Sequence, residues 1–194
     1  MKKLVVFVVC ILLISISCTR FVMVFSSAHM PRWENEQSIT SYAQRIGLRT
    51  DNICVLQDSA ALGDIMKSYG KLAEISFYDR NGFEMKVKSP EDCHITIEKV
   101  IDSLSTQTLY AVDSTRRLSD LTSRLCHLDG SPLKQDEMVA PVDFTVAIFW
   151  TTFIGNVNKR STRVWEEKCY EKGKTLGIRV IKVNCDFQEV WESD

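Results

Sequence analysis

The run Val142–Trp150, VDFTVAIFW, is apolar along most of its length and turns through Thr151–Gly155 into a polar-apolar segment beginning at Asn156. A second apolar run, Ile178–Val183 (IRVIKV), follows once Gly173 and Gly177 have interrupted that segment. Two strand-like runs separated by a helix-length stretch read as parallel strands joined by a helical crossover, since parallel neighbours need a connection of a dozen residues or more. Strands apolar on both faces have to be covered on both, which restricts the chain to a layered α/β architecture. The intervening stretch predicts a helix over 156–172 with Val157, Ser161, Val164, Trp165 and Lys168/Cys169 along one side.

The same alternation recurs upstream. Arg20–Ser26 (RFVMVFS) reads as a buried strand. Glu36–Ile46 predicts an amphipathic helix, with Ile39, Tyr42, Ala43 and Ile46 at helical spacing and Gly47 as its stop. Asn52–Gln57 is a second strand, and Asp58-Ser59 supplies the cap for a helix over 60–69 with Leu62, Ile65, Met66 and Tyr69 on one face, ended by Gly70. Leu72–Asp79 and Phe83–Lys88 flank Asp79-Arg80-Asn81-Gly82, which predicts a hairpin with positive φ at both Asn81 and Gly82. Ile95–Leu104 reads as a helix, and 106–123 as a polar linker with room for one strand or helical turn. A second hairpin is expected around Asp129-Gly130, and 187–191 reads as the start of a further helix.

The order strand, helix, strand, helix, hairpin, helix over 20–105 resembles the thioredoxin fold, and LAEISFYDRNGFEM resembles the thioredoxin hairpin. Residues 124–187 resemble the redoxin class of envelope thiol-disulfide reductases. There LDGSPL matches the leading hairpin, Phe149-Trp150-Thr151-Thr152-Phe153 matches F-W-A-x-W, and Val183-Asn184-Cys185-Asp186 matches V-N-x-D. The resemblance implies a thioredoxin-like three-layer sandwich with a mixed sheet, in two modules. These are a degenerate one over 19–105 and, after the 106–123 linker, a partial one over 124–194. The partial module lacks a second helix, a hairpin and a final helix, so its strand at 178–183 would need cover from the first module or a partner, unless the frame is truncated. The resemblance also places an active-site corner at Trp150, Ile154, Gly155 and Val157, with Ile154 and Val157 standing where the two reactive cysteines belong.

Thiol-disulfide exchange needs a nucleophilic thiolate and a resolving thiol, and no C-x-x-C occurs among the seven cysteines. Cys185, at the end of a parallel strand, is the candidate for one-thiol chemistry, against the plainer reading of a small buried residue. Cys169 lies too far along its helix to substitute, and Cys54 reads as a buried hydrophobe. Cys93-His94 and Cys126-His127 are adjacent pairs whose side chains would point to opposite faces of a strand, so no metal and no cofactor is expected. His29 has no nameable partner. Trp33, Trp150, Trp165 and Trp191 could line a ligand groove, although core packing is the commoner fate at the positions of Trp150 and Trp165; Lys159, Arg160, Arg163 and Lys168 read as a solvated helix face.

A net charge of -1 without a basic tract argues against nucleic acid. Met1-Lys2-Lys3 and the 13 uncharged residues Leu4–Ile16 have the form of a secretory signal, shorter than the roughly 20 residues a span needs. Ser15-Ile16-Ser17-Cys18 resembles a lipoprotein signal with Cys18 as the lipidated residue; ordinary cleavage and an uncleaved anchor are the alternatives. Residues 1–18 are therefore expected to export the protein and anchor it in the cell envelope. Its expected role is binding or scaffolding of a protein or peptide partner through the apolar loop 151–157. The alternative is a one-thiol oxidoreductase or peroxidase-like protein using Cys185.

Overall fold

A computed structural model describes residues 28–69, 74–87, 96–106, 110–134 and 142–193. In chain order the elements are β1 (Trp33–Glu34), α1 (Glu36–Ile46), β2 (Ile53–Leu56), α2 (Ser59–Tyr69), β3 (Ile75–Asp79), β4 (Phe83–Val87) and α3 (Ile97–Asp102). There follow β5 (Tyr110–Arg117), α4 (Leu118–Thr122), β6 (Leu125–His127), β7 (Phe144–Trp150), α5 (Asn156–Lys172), β8 (Ile178–Asn184), β9 (Phe187–Gln188) and a 3-10 turn over Glu189–Ser193. The strand expected at 20–26, the signal over 1–18 and the stop at Gly70 fall outside the described residues.

Local chemistry accounts for most boundaries. The Asn35 side chain accepts from Ser38 N–H while the Ser38 hydroxyl accepts from Asn35 N–H, a reciprocal cap that starts α1. Ile39, Tyr42, Ala43 and Ile46 are buried as their spacing requires, and Gly47 closes the helix at φ 81°. The β3–β4 hairpin forms, with a turn different from the expected one. Only Gly82 takes a positive φ, and Asp79 accepts from the amides of Asn81 and Phe83. A carboxylate that ties its own turn leaves the strained conformation to glycine alone.

Seven strands form one mixed sheet in the order β5-β4-β3-β7-β8-β2-β6. β7, β8 and β2 run parallel, β3 pairs antiparallel with β7, and β6 antiparallel with β2. Strands from 19–105 and from 124–194 thus interleave: β3 and β2 from the first segment flank the β7–β8 pair of the second. The sheet does not divide at 106–123, which itself supplies the edge strand β5 and the helix α4. β8 is covered on both sides, so the strand that the sequence leaves without a neighbour finds one in β2. The helix expected at 187–191 is instead β9, which pairs parallel with β1, followed by the 3-10 turn.

Both sheet faces are buried, giving three layers. Val55, Val146, Ile148 and Val180 face α1, α3 and α5, while Leu56, Ala147, Phe149, Ile181 and Val183 face α2 and α4. The buried stripe of α5 differs from the apolar one read from sequence. Among the side chains of α5 that the structure describes, Asn158, Thr162, Glu166 and Cys169 are buried, Trp165 is half-buried, and Val164 is exposed. Glu166 meets Lys182 of β8 there and Asn158 meets the Thr151 carbonyl just past β7, whereas the Thr162 hydroxyl is buried without a hydrogen-bond partner. Among the described residues no helix is long and apolar enough to cross a membrane.

Candidate functional site

The parallel β7–β8 pair brings Trp150 and Asn184 side by side at its C-terminal end, and the Cys185 amide donates to the Trp150 carbonyl at 2.8 Å. Both chains turn away here, the usual place for a site in an open α/β sheet. Gly155, at φ 60° and ψ −127°, makes the turn into α5, whose first residues are Asn156 and Val157. Trp150 is fully buried and stacks on Tyr42 at 6.0 Å, while the Tyr42 hydroxyl donates to the Gly155 carbonyl. Asn158 Nδ2 donates to the Thr151 carbonyl, tying the first turn of α5 to the end of β7. Thr151, Thr152 and Gly155 are buried, with Phe153 and Ile154 half-buried.

The segment 28–34 covers this corner. The His29 amide donates to the Phe153 carbonyl at 2.9 Å, and Glu34, on β1, reaches inward. The Thr152 hydroxyl donates to Glu34 Oε1 at 3.0 Å and lies 3.2 Å from Asp186 Oδ1. One hydroxyl therefore bridges two carboxylates that are 1% and 2% exposed. The Asp186 carboxylate also accepts from Thr152 N–H at 2.8 Å and from Asn184 Nδ2 at 2.7 Å, and Gln188 Nε2 donates to Asn184 Oδ1 and to the Asp186 backbone carbonyl behind them. Arg32 donates to Glu34 Oε1 at 2.7 Å.

The two acids part company in their proton affinities. Burial pushes the Asp186 carboxyl up to about 6, its hydrogen bonds offsetting only part of that and the nearby Glu34 charge adding to it. Burial acts on Glu34 the same way, but hydrogen bonds from Arg32, Ser38 and Thr152 outweigh it and hold Glu34 below the usual carboxylate range. A proton in this cluster consequently resides on Asp186, whose neutral form relieves repulsion between the pair.

Thiol chemistry has no support at this corner. Cys185 is 2% exposed, and burial, with the Asp186 charge beside it, drives its thiol far above the ordinary value. Cys169 is pushed up to about 12 and Cys126 to about 11, both mainly by burial. Thiols held protonated in this way are poor nucleophiles. Cys54, Cys126, Cys169 and Cys185 are all unbridged and buried. Among the described residues no group of three or more His, Cys, Asp or Glu is placed to hold a metal. Cys126 and His127 do alternate across β6: Cys126 joins the α1 side, whereas His127 pairs with Cys54 in register on the opposite face. Cys93-His94 lies outside the described residues.

The remaining expected positions scatter. His29 Nδ1 lies 2.8 Å from the Met30 carbonyl. Trp191 donates from its indole to the Leu56 carbonyl at 3.1 Å. Arg163 pairs with Glu167 and Lys168 with Asp102, so part of the basic face of α5 is spent on local ion pairs. Glu34 escapes sequence reasoning, for it sits in no motif and stands 118 positions from Thr152, which itself falls at the unspecified place of the F-W-A-x-W match. A buried ion pair away from the corner had a visible signal, the single Lys182 in IRVIKV. It is fully buried and donates to Glu166 Oε1 at 2.7 Å, with Asp51 at 3.6 Å. No protein-family model, curated protein or solved structure matches this chain.

Proposed function

We propose that the protein is a membrane-tethered envelope binding protein built on one thioredoxin-like module, with its redox corner closed by its own segment 28–34 and without thiol chemistry. The two stretches that most resemble thioredoxin, the hairpin at 72–85 and the corner at 149–157, come from opposite halves of the chain and lie on adjacent strands, Ile75 opposite Ile148 and Asp79 opposite Phe144. Placing α2-β3-β4-α3 after β7-α5-β8 restores the order strand, helix, strand, helix, hairpin, helix. One module with rotated chain order is thus a more economical reading than two modules. The tether rests on the signal-like residues 1–18 and Cys18.

The observation that carries the binding role is the surface over the closed corner. Met30, Trp33, Phe187 and Val190 are 71%, 45%, 38% and 50% exposed, and the Trp33 and Phe187 rings lie 5.5 Å apart. Large apolar side chains grouped on two paired segments mark an interaction surface. Because Thr151, Thr152 and Gly155 are buried, the contact moves from loop 151–157 onto segments 28–34 and 187–190. The occupant is an extended stretch of a partner polypeptide carrying aromatic or aliphatic side chains. The reductase class binds such stretches at the same corner.

Equilibrium binding to an array of extended apolar peptides tests this. Trp33→Ala is expected to weaken the selected peptide by about 30-fold, the scale of a central aromatic contact. Cys185→Ser is expected to leave binding unchanged. Binding indifferent to Trp33→Ala, or a reductase activity abolished by Cys185→Ser, would overturn the assignment in favour of the one-thiol alternative.

A further inference from the structure

Segment 28–35 lies over the corner, yet Glu34 is its only buried residue; Met30, Pro31, Arg32, Trp33 and Asn35 are exposed. The segment is also tied by the His29 amide, which donates to the Phe153 carbonyl, and by Trp33 and Glu34, which pair with Phe187 and Gln188 through β1 and β9. Asn35 Nδ2 donates to Glu189 Oε2 at 3.1 Å. A covering segment is ordinarily anchored by the apolar area it buries. This one is anchored by a carboxylate that is 1% exposed, so its attachment depends on the ionisation of the groups that carboxylate meets.

A hydroxyl carries one hydrogen. Thr152 Oγ1 lies 3.0 Å from Glu34 Oε1 and 3.2 Å from Asp186 Oδ1, so it donates to one of them, and the other contact needs a hydrogen from elsewhere. Thr152 N–H favours Asp186 Oδ2 at 2.8 Å over Oδ1 at 3.1 Å, and Asn184 Nδ2 also donates to Oδ2. A proton on Asp186 Oδ1 completes the chain. Asp186 then donates to Thr152 Oγ1, Thr152 donates to Glu34, and Arg32 balances the Glu34 charge. Without that proton one hydrogen faces two charged carboxylates that are 1% and 2% exposed. From this geometry we infer that Asp186, Thr152 and Glu34 form a proton-dependent latch, in which protonated Asp186 holds segment 28–34 over the corner and loss of its proton to solvent lets the segment lift.

The Asp186 carboxyl, titrating near 6 against an ordinary 3.8, sets the working range. The closed form holds the proton more tightly than the open one. Closure is therefore strongest below about pH 4, weakens as pH rises to about 6, and is constant above. Among the described residues the titratable groups facing Asp186 are Glu34 and Arg32 of the covering segment, Tyr42 of α1 and the adjoining Cys185. Burial raises Tyr42 and Cys185, so both stay neutral over this range, while Arg32 and Glu34 stay charged. Asp186 is the group that changes. The latch regulates the proposed peptide surface and rests on that reading for its use. Trp33 rides on the segment and Phe187 on β9, so their rings form one surface only in the closed state, and affinity follows the closed fraction.

Amide hydrogen exchange on the full chain, with rates expressed as protection factors to remove the intrinsic effect of pH, tests the latch without any peptide. Failure of the latch and failure of the peptide surface are thereby told apart. Residues 28–35 are expected to exchange faster than β7 at every pH, which marks opening without global unfolding. Their protection is expected to fall about 30-fold between about pH 4.5 and 7.5, from the two carboxyl values, and to level off above about pH 6. Asp186→Asn is expected to abolish the fall, and His29→Gln, which removes the imidazole of the segment, to keep it. Protection that is flat with pH in the parent, a fall that persists in Asp186→Asn, or exchange of 28–35 only as fast as β7 would overturn the latch. If Asp186→Asn fails to fold, the parent curve decides. Levelling above about pH 6 supports Asp186, and a fall that continues past about pH 7 assigns the change to another group and removes the latch.

Discussion

Glu166→Ala is expected to lower the unfolding free energy by about 3–5 kcal/mol, the cost of leaving a buried ammonium without its counter-ion. Lys182 is fully buried on the α5 side of β8, and its Nζ lies 2.7 Å from Glu166 Oε1. The other carboxylate oxygen of Glu166 accepts from the Arg49 amide at 3.1 Å, so the substitution orphans two donors. Asp51, at 3.6 Å and half exposed, offsets part of the loss and places the result toward the lower end of that range. Removing both charges together has the opposite consequence. The double variant Glu166→Leu/Lys182→Met is expected within about 1 kcal/mol of the parent, or above it, since neither desolvation penalty remains. Urea unfolding of the three proteins checks this. A loss under about 1 kcal/mol in Glu166→Ala would mean that water reaches Lys182.

The second large effect lies in the carboxylate cluster and depends on pH. The folded Asp186 titrates near 6 against an ordinary value of 3.8, so folding favours its protonated form. Stability from this group is complete below about pH 4, declines as pH rises toward 6, and stays constant above. A displacement of about two units corresponds to about 3 kcal/mol. Asp186→Asn is expected to remove that decline, matching the parent at pH 4 and exceeding it by about 2–3 kcal/mol at pH 7. The geometry accommodates the amide. Its oxygen replaces Oδ2, which accepts from Thr152 N–H and Asn184 Nδ2, and its NH2 replaces Oδ1, from which it can donate to the Thr152 hydroxyl. Glu34, held below its usual range, contributes in the other sense, and only at more acidic pH. Denaturant unfolding from pH 4 to 7 gives the comparison; an unchanged slope in Asp186→Asn would show that segment 28–34 leaves Asp186 wet.

Periodicity was a good guide wherever a helix or strand buries one apolar side against its neighbours. The α1 face, the bounds of α5 and the β7-α5-β8 crossover follow from residue spacing alone. It misled on α5's buried face, because Asn158 and Glu166 are inside by virtue of partners on other segments, which a hydrophobic count scores as solvent-facing. The division at 106–123 misled for a related reason. Composition reports polarity, and an edge strand such as β5, exposed along most of its length, is as polar as a linker. The corner at 150–157 was legible as a place in the fold. Its contents were not: Glu34, Thr152 and Asp186 form a cluster through contacts that only the folded chain creates.

The single sheet, and with it the one-module reading, depends on β3 and β7 being neighbours. Backbone NOEs between Ile75–Asp79 and Phe144–Trp150 measure it directly. The predicted result is an antiparallel ladder with Ile75 opposite Ile148, Phe77 opposite Val146 and Asp79 opposite Phe144, alongside the parallel β7–β8 contacts. Cross-strand NOEs linking β3 to β4 alone and β7 to β8 alone would describe two separate sheets and contradict it.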